Sequence, residues 1–102
     1  MRRNTEKVLK ALEKGKACKS ASSIWTDGAN VYSYRTVLVT QEAGYFFVNR
    51  TKYSPTTSRQ QSGLREAMAG VPRVVYVEDV PRGYCGNLSA FADPALTSVI
   101  FA

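Results

Sequence analysis

Between Asn49 and Arg65 the chain reads NRTKYSPTTSRQQSGLR, a run of basic and hydroxyl side chains with no acidic residue. Thr57 and Gln60 have the spacing of a capping box, which predicts a helix from about Ser58 to Ala69 closed by Gly70. A helix start presents unpaired backbone N–H groups and the positive end of its dipole. Arg50, Lys52, Thr57, Ser58, Arg59 and Arg65 are therefore candidates for holding phosphate or another anion. The competing reading is that the hydroxyls only cap the helix while Arg50 and Lys52 solvate a strand end.

Other chemistry is excluded by residue type. The chain has no histidine, so Ser-His-Asp, Cys-His and zinc-hydrolase arrangements are ruled out, and with them the commonest general base. The eight carboxylates are scattered, with no paired Asp/Glu motif for magnesium or glycosidase work. Phosphate-loop and dinucleotide fingerprints are also missing. The expectation is a non-enzymatic protein with no cofactor and no metal. Cys18 and Cys85 lack metal-site spacing and read as two ordinary thiols.

A length of 102 residues with 44% hydrophobic content fits one domain with a modest core. No apolar run approaches the roughly 20 residues of a membrane span, and the start MRRNTEKVLK is too polar for a signal peptide. A cytoplasmic protein without membrane contact is expected. The net charge of +6 is uneven, with +5 in residues 1–19, +4 in 35–73 and −2 in 74–102. A basic body favours anionic partners, among which DNA or RNA is the commonest.

These residues need elements to position them. Asn4 or Thr5 can cap a helix to Lys14, stopped by Gly15, with Val8, Leu9, Ala11 and Leu12 on one arc. Lys7, Lys10 and Lys14 fall on the opposite side and can extend a basic footprint. A strand is expected around Ser20 to Thr26, then an Asp27-Gly28 turn and a long alternating strand from Asn30 to Thr40. A reversal at Glu42-Ala43 leads into Tyr45 to Asn49, with Val39 facing Phe46 and Val37 facing Val48. In the second helix Gln60, Leu64, Ala67 and Met68 share the inner arc, with Arg59 and Arg65 turned outward. Gly63 in mid-helix costs about 1 kcal/mol relative to alanine and marks a close approach. A strand follows over Arg73 to Glu78, and residues 79–102 read as a loop-rich extension. Its apolar end, Val99-Ile100-Phe101, is expected to form a last strand or a self-association edge.

The result is an α+β domain in the order α-β-β-β-α-β: a small antiparallel sheet of three to five strands with helices on one face. One sheet face carries Val37, Val39, Phe46 and Val48, suited to cover by helices. The other carries Tyr32, Tyr34, Leu38, Tyr45 and Phe47. Tyr32, Tyr34, Tyr45 and Phe47 are candidates for stacking on bases or for a protein interface. Double-stranded-RNA-binding domains share the first five elements, a fold analogy only.

The segments W-T-D-G-x-x-x-Y-S-Y from Trp25 to Tyr34 and N-x-T-K-Y-S-x-T-T-S-R-x-Q from Asn49 to Gln61 resemble a family of small uncharacterised proteins of tailed bacteriophages. Arg35 stands where that resemblance leads one to expect glycine. The resemblance implies action in the host cytoplasm and assigns no activity or site residues. Two functions are then in view: nucleic-acid binding through the phosphate backbone, or capture of a host protein through the aromatic face.

Overall fold

The computed structural model describes residues 2–19 and 23–102. It contains α1 (Arg2–Glu13), β1 (Cys18–Lys19), β2 (Ile24–Thr26), β3 (Asn30–Ser33), β4 (Thr36–Glu42) and β5 (Tyr45–Asn49). These are followed by α2 (Pro55–Ala67), β6 (Val74–Val77), a 3-10 turn (Leu88–Phe91) and α3 (Pro94–Ile100). The strands lie side by side in chain order in one six-stranded sheet. It is antiparallel from β1 to β5, and β6 pairs with β5 in parallel. The domain is α+β, but its sheet is mixed and larger than the sequence pattern suggested. The cause is α2, a crossover that returns the chain to the starting end of β5, so that β6 runs in the same direction. Of the strand expected over Ser20 to Thr26, residues 20–22 lie outside the described residues, and Ile24–Thr26 form β2.

The alternating run from Asn30 to Thr40 is two strands and not one. It folds back at Tyr34-Arg35, and Ser33 pairs with Thr36. Tyr34, not Arg35, takes the left-handed backbone, with φ 55°. Two hydrogen bonds hold it there, Tyr34 N–H to Ser23 O (2.7 Å) and Trp25 Nε1–H to Tyr34 O (2.8 Å). The next reversal is at Ala43-Gly44, both with positive φ (53° and 79°), the conformation a two-residue hairpin loop favours. Val39 therefore faces Val48 and Thr40 faces Phe47, a slip of two residues from the expected register. An even slip leaves each side chain on its own face.

One change of face did occur. Val31 pairs with Val39 and Tyr32 with Val37, leaving Leu38 as an extra residue in β4. At such a bulge strict alternation fails. Leu38 and Val39 both join the helix-side core, and Val37 joins the opposite one.

The helix-side core gathers Val8, Leu9 and Leu12 of α1 and Leu64 and Met68 of α2 against Ile24, Val31, Val39 and Val48 of the sheet. Gly63 is where the two helices meet, because a Cβ there would lie 2.9 Å from Thr5 Oγ1. The other face is covered as well. Residues after β6 cross it, and Val80 and Leu88 pack on Tyr32, Val37, Phe47 and Val77, with Phe91 and Ile100 at the margin. The expected one-sided domain is thus a sheet between two covers. The expected strand at Val99-Ile100-Phe101 is the end of α3 and the residue after it: Asp93 caps α3 and Pro94 occupies its first turn, both favourable at a helix start. Ile100 packs inward while Val99 is 75% exposed. No helix among the described residues is long and apolar enough to cross a membrane.

Candidate nucleic-acid interface

The cap of α2 lies earlier than the capping-box spacing indicates. Ser54 is the N-cap, and its Oγ accepts from Thr57 N–H at 3.3 Å. Pro55, the first helical residue, has no N–H to offer, and Ser58 N–H already bonds Ser54 O at 2.9 Å. Most of the helix start is therefore engaged by its own chain, and donors for an anion must come from side chains.

Much of the polar content of the Asn49–Gln61 motif also holds the fold. Asn49, fully buried, donates through Nδ2 to Val37 O and to Tyr53 Oη, and Tyr53 Oη–H donates to Val80 O. Thr51 Oγ1 accepts from Val80 N–H (3.0 Å). Gln61 Nε2 donates to Asn49 O and Thr51 O, each at 2.9 Å. Gln60 is buried, as its inner arc requires; it accepts from Ser33 Oγ and donates to Ser23 Oγ. Together these bonds tie the β5–α2 loop to β4 and to the chain after β6. Buried amides fully partnered in this way fix one geometry and would cost stability if left unpaired.

Where that framework reaches solvent there is a cleft of about 420 Å³ at the end of the sheet where β5 and β6 finish and α2 begins. Arg35 of the β3–β4 turn and Arg82 of the loop after β6 line it, with hydroxyl residues Ser33, Thr36, Tyr53, Ser54 and Thr57. Gly83 N–H donates to Thr36 Oγ1 (2.9 Å), which fixes the Arg82 loop beside the Arg35 turn. No carboxylate among the described residues lines the cleft. The hydroxyl protons of Ser33, Tyr53 and Ser54 are donated to Gln60, Val80 and Thr57, so the cleft's charge complementarity to a phosphate rests on its two arginines. Arg35 and Arg82 were not singled out by sequence. Nothing in Y-R-T looks like a turn, because glycine, asparagine and aspartate are all absent from it.

The residues singled out by sequence are dispersed. Of them, Thr57 and Tyr34 line the cleft. Ser58 is half-buried in the first turn, and Lys52 and Arg59 are exposed nearby in sequence. Arg50 stands with its guanidinium carbon 5.1 Å from the Tyr76 ring centre, in a separate recess that contains Glu78 and Asp79. Arg65 Nη2 reaches Ser62 Oγ at 3.4 Å. Lys7 and Lys10 on α1 and Lys14 just past its end are exposed, but Lys10 shares its recess with Glu6, Glu13 and Glu66. Three carboxylates around one ammonium make that recess a poor polyanion contact.

The aromatic face needs a correction. Tyr32 is 6% exposed and Phe47 is fully buried beneath the residues after β6, so neither offers a surface for bases or for a partner. Tyr45 is half-buried with Arg73 5.9 Å from its ring centre. Tyr34 alone of the four is open, at 61%, because it belongs to a turn and not to the sheet face. Trp25, not singled out before, stacks on Tyr32 with ring centroids 4.3 Å apart at 19°.

Asp27 organises the adjoining β2–β3 turn. Its Oδ1 accepts from Ala29 N–H and Asn30 N–H, and its Oδ2 accepts from Tyr32 Oη–H. Burial pushes the carboxyl up, but the hydrogen bonds from Asn30, Ala29 and Tyr32 outweigh it and hold Asp27 below its ordinary 3.8. Burial, with the neighbouring Asp27 carboxylate adding to it, raises the Tyr32 hydroxyl above 10.0. Among the described residues no group of three or more Cys, Asp or Glu is placed to hold a metal ion.

Comparison with protein-family models, curated proteins and solved structures finds no significant match to the chain.

Proposed function

We propose that this protein is a non-enzymatic nucleic-acid-binding module that holds the phosphate backbone at the end of the sheet where α2 begins. The observation carrying the reading is the cleft lined by Arg35 and Arg82, with no carboxylate among the described residues that line it. Lys52 and Arg59 flank it in sequence and extend the positive field. The charge of +6 supports the same partner class. A tailed-phage origin, which the motif resemblance implies, would give this binding the cytoplasm of an infected host as its setting. The rival reading, capture of a host protein through the aromatic face, loses Tyr32 and Phe47 to the interior, and no other observation favours it.

The test is fluorescence anisotropy with labelled duplex and single-stranded oligonucleotides over a salt series. Binding should weaken linearly on a log–log plot, by about 0.9 log units per log salt for each duplex phosphate neutralised and about 0.7 for single strands. Arg35→Ala with Arg82→Ala should reduce the slope by about one for each phosphate contact removed. Absent binding, or binding indifferent to salt, would overturn the proposal.

A further inference from the structure

A second and larger cavity, about 700 Å³, adjoins the arginine cleft. Among the described residues its walls are mainly apolar: Trp25, Tyr34, Ala17 and Cys18 line it together with Thr26, Asp27, Lys19 and Arg35. Tyr34 and Arg35 line both cavities. The turn they form is therefore a shared wall, with an aromatic slot on one side and a two-arginine cleft on the other.

The ring of Trp25 and the backbone of Tyr34 are held in advance. Trp25 lies with one face on Tyr32 and spends its indole N–H on Tyr34 O. The Tyr34 backbone is fixed by that bond and by its own N–H to Ser23 O, while the residue is 61% exposed. A large aromatic ring left open on a pinned, left-handed turn is an unusual use of backbone strain, which persists where the surroundings impose it. The polar groups in the slot are mostly occupied: Thr26 Oγ1 donates to Asn30 O and accepts from Gly28 N–H, and Asp27 accepts three bonds. The slot can thus offer ring faces and cationic side chains, with little left to read a base edge. Stacking with weak sequence preference is what such a surface supports.

Resting on the nucleic-acid reading above, we propose that the two cavities are one site for a nucleotide unit of single-stranded DNA or RNA. The base enters the Trp25–Tyr34 slot, the adjoining phosphate lies between Arg35 and Arg82, and the Tyr34-Arg35 turn divides them. A paired base in a duplex is already stacked between its neighbours and reaches the slot only at an unpairing cost. Single strands should bind more tightly than duplex of the same length.

Trp25 is the only tryptophan of the chain, so the unmodified protein reports on the slot directly. Titration with single-stranded oligonucleotide should quench Trp25 emission, and duplex at the same salt should bind with little quenching. Tyr34→Ala should weaken single-strand binding about 5- to 150-fold, the range that loss of one stacked base implies, and duplex binding by much less, so that the preference for single strands is lost. Tyr34→Phe, which keeps the ring, should restore the preference. Single strands that bind by anisotropy without altering Trp25 emission, or that bind no better than duplex, would overturn the slot while sparing the backbone reading. Failure of both nucleic acids to bind at any salt would overturn both. The wild-type fluorescence arm stands even if Tyr34→Ala disturbs the fold.

Discussion

Replacing Gly63 by alanine sets two physical effects of known sign against each other. Alanine is favoured over glycine in a helix interior by about 1 kcal/mol, so local propensity alone makes Gly63→Ala stabilising. The added Cβ would lie 2.9 Å from Thr5 Oγ1 and 3.1 Å from Thr5 Cγ2. Thr5 is fully buried and β-branched, so it cannot swing into solvent, and α1 must move away from α2. Overpacking of this kind costs about 1–3 kcal/mol. The balance is a net loss of about 1 kcal/mol, a fall in Tm of roughly 4–8 °C for a domain of this size. Thermal and urea unfolding followed by circular dichroism measure it. The decisive comparison is a cycle with Thr5→Ala, which removes both crowding atoms: in that background Gly63→Ala should become stabilising, with a coupling of about 1–3 kcal/mol. A Gly63→Ala protein more stable than wild type, or a cycle with no coupling, would refute the claim that a tight helix–helix contact requires this glycine.

Gly28→Ala should cost more, at least about 2 kcal/mol in urea unfolding: φ there is +100°, and the new Cβ would meet Gly15 O at 2.7 Å, backbone that cannot rotate aside. Leu88→Ala should lose about 2–5 kcal/mol by the same measurement, since Leu88 is fully buried between the sheet and the chain that covers it. Asp27 should make stability depend on pH. Because its folded pKa lies below the ordinary 3.8, its contribution is complete above about pH 4 and is lost as the pH falls through the folded value. Asp27→Asn should therefore be less stable than wild type at neutral pH, and the gap should shrink below pH 4 in urea titrations. Tyr32, raised above 10.0, contributes below pH 10 and loses that contribution as pH rises through its folded value, a loss that Tyr32→Phe should remove from the alkaline limb.

Periodicity made the helices and the helix-facing side chains legible. Val8, Leu9, Leu12, Leu64 and Met68 sit in the core their spacing assigned them, and Gln60 is turned inward. Val39, Phe46 and Val48 kept their face because the register differs by two residues, which alternation cannot distinguish. Three features were hidden, each for a local reason. The Tyr34-Arg35 turn carries residues that look like strand, because tertiary hydrogen bonds to Ser23 and Trp25 impose the left-handed backbone. The Leu38 bulge inserts one apolar residue among others of the same kind, so no pattern marks it. The α3 helix contains β-branched residues that suggest a strand, whereas Asp93 and Pro94 set its start. The arginine cleft was hidden for the same causes. Its arginines come from the unseen turn and from a loop that only the second cover brings near, while the capping hydroxyls that drew attention are engaged within the chain.

The second cover also orders events in time. The hairpins linking β2 to β5 connect residues close in sequence and can form early, whereas β6 must wait for the α2 crossover and the cover for everything before it. Until residues beyond Val80 arrive during synthesis, Tyr32, Val37 and Phe47 form an open apolar surface on a nearly complete sheet. A partly folded chain with that surface open would be prone to self-association. The loop carrying Arg82 belongs to that cover, so closing the core and completing the arginine cleft are a single step: a chain with an open core has only half of the cleft's arginines in place.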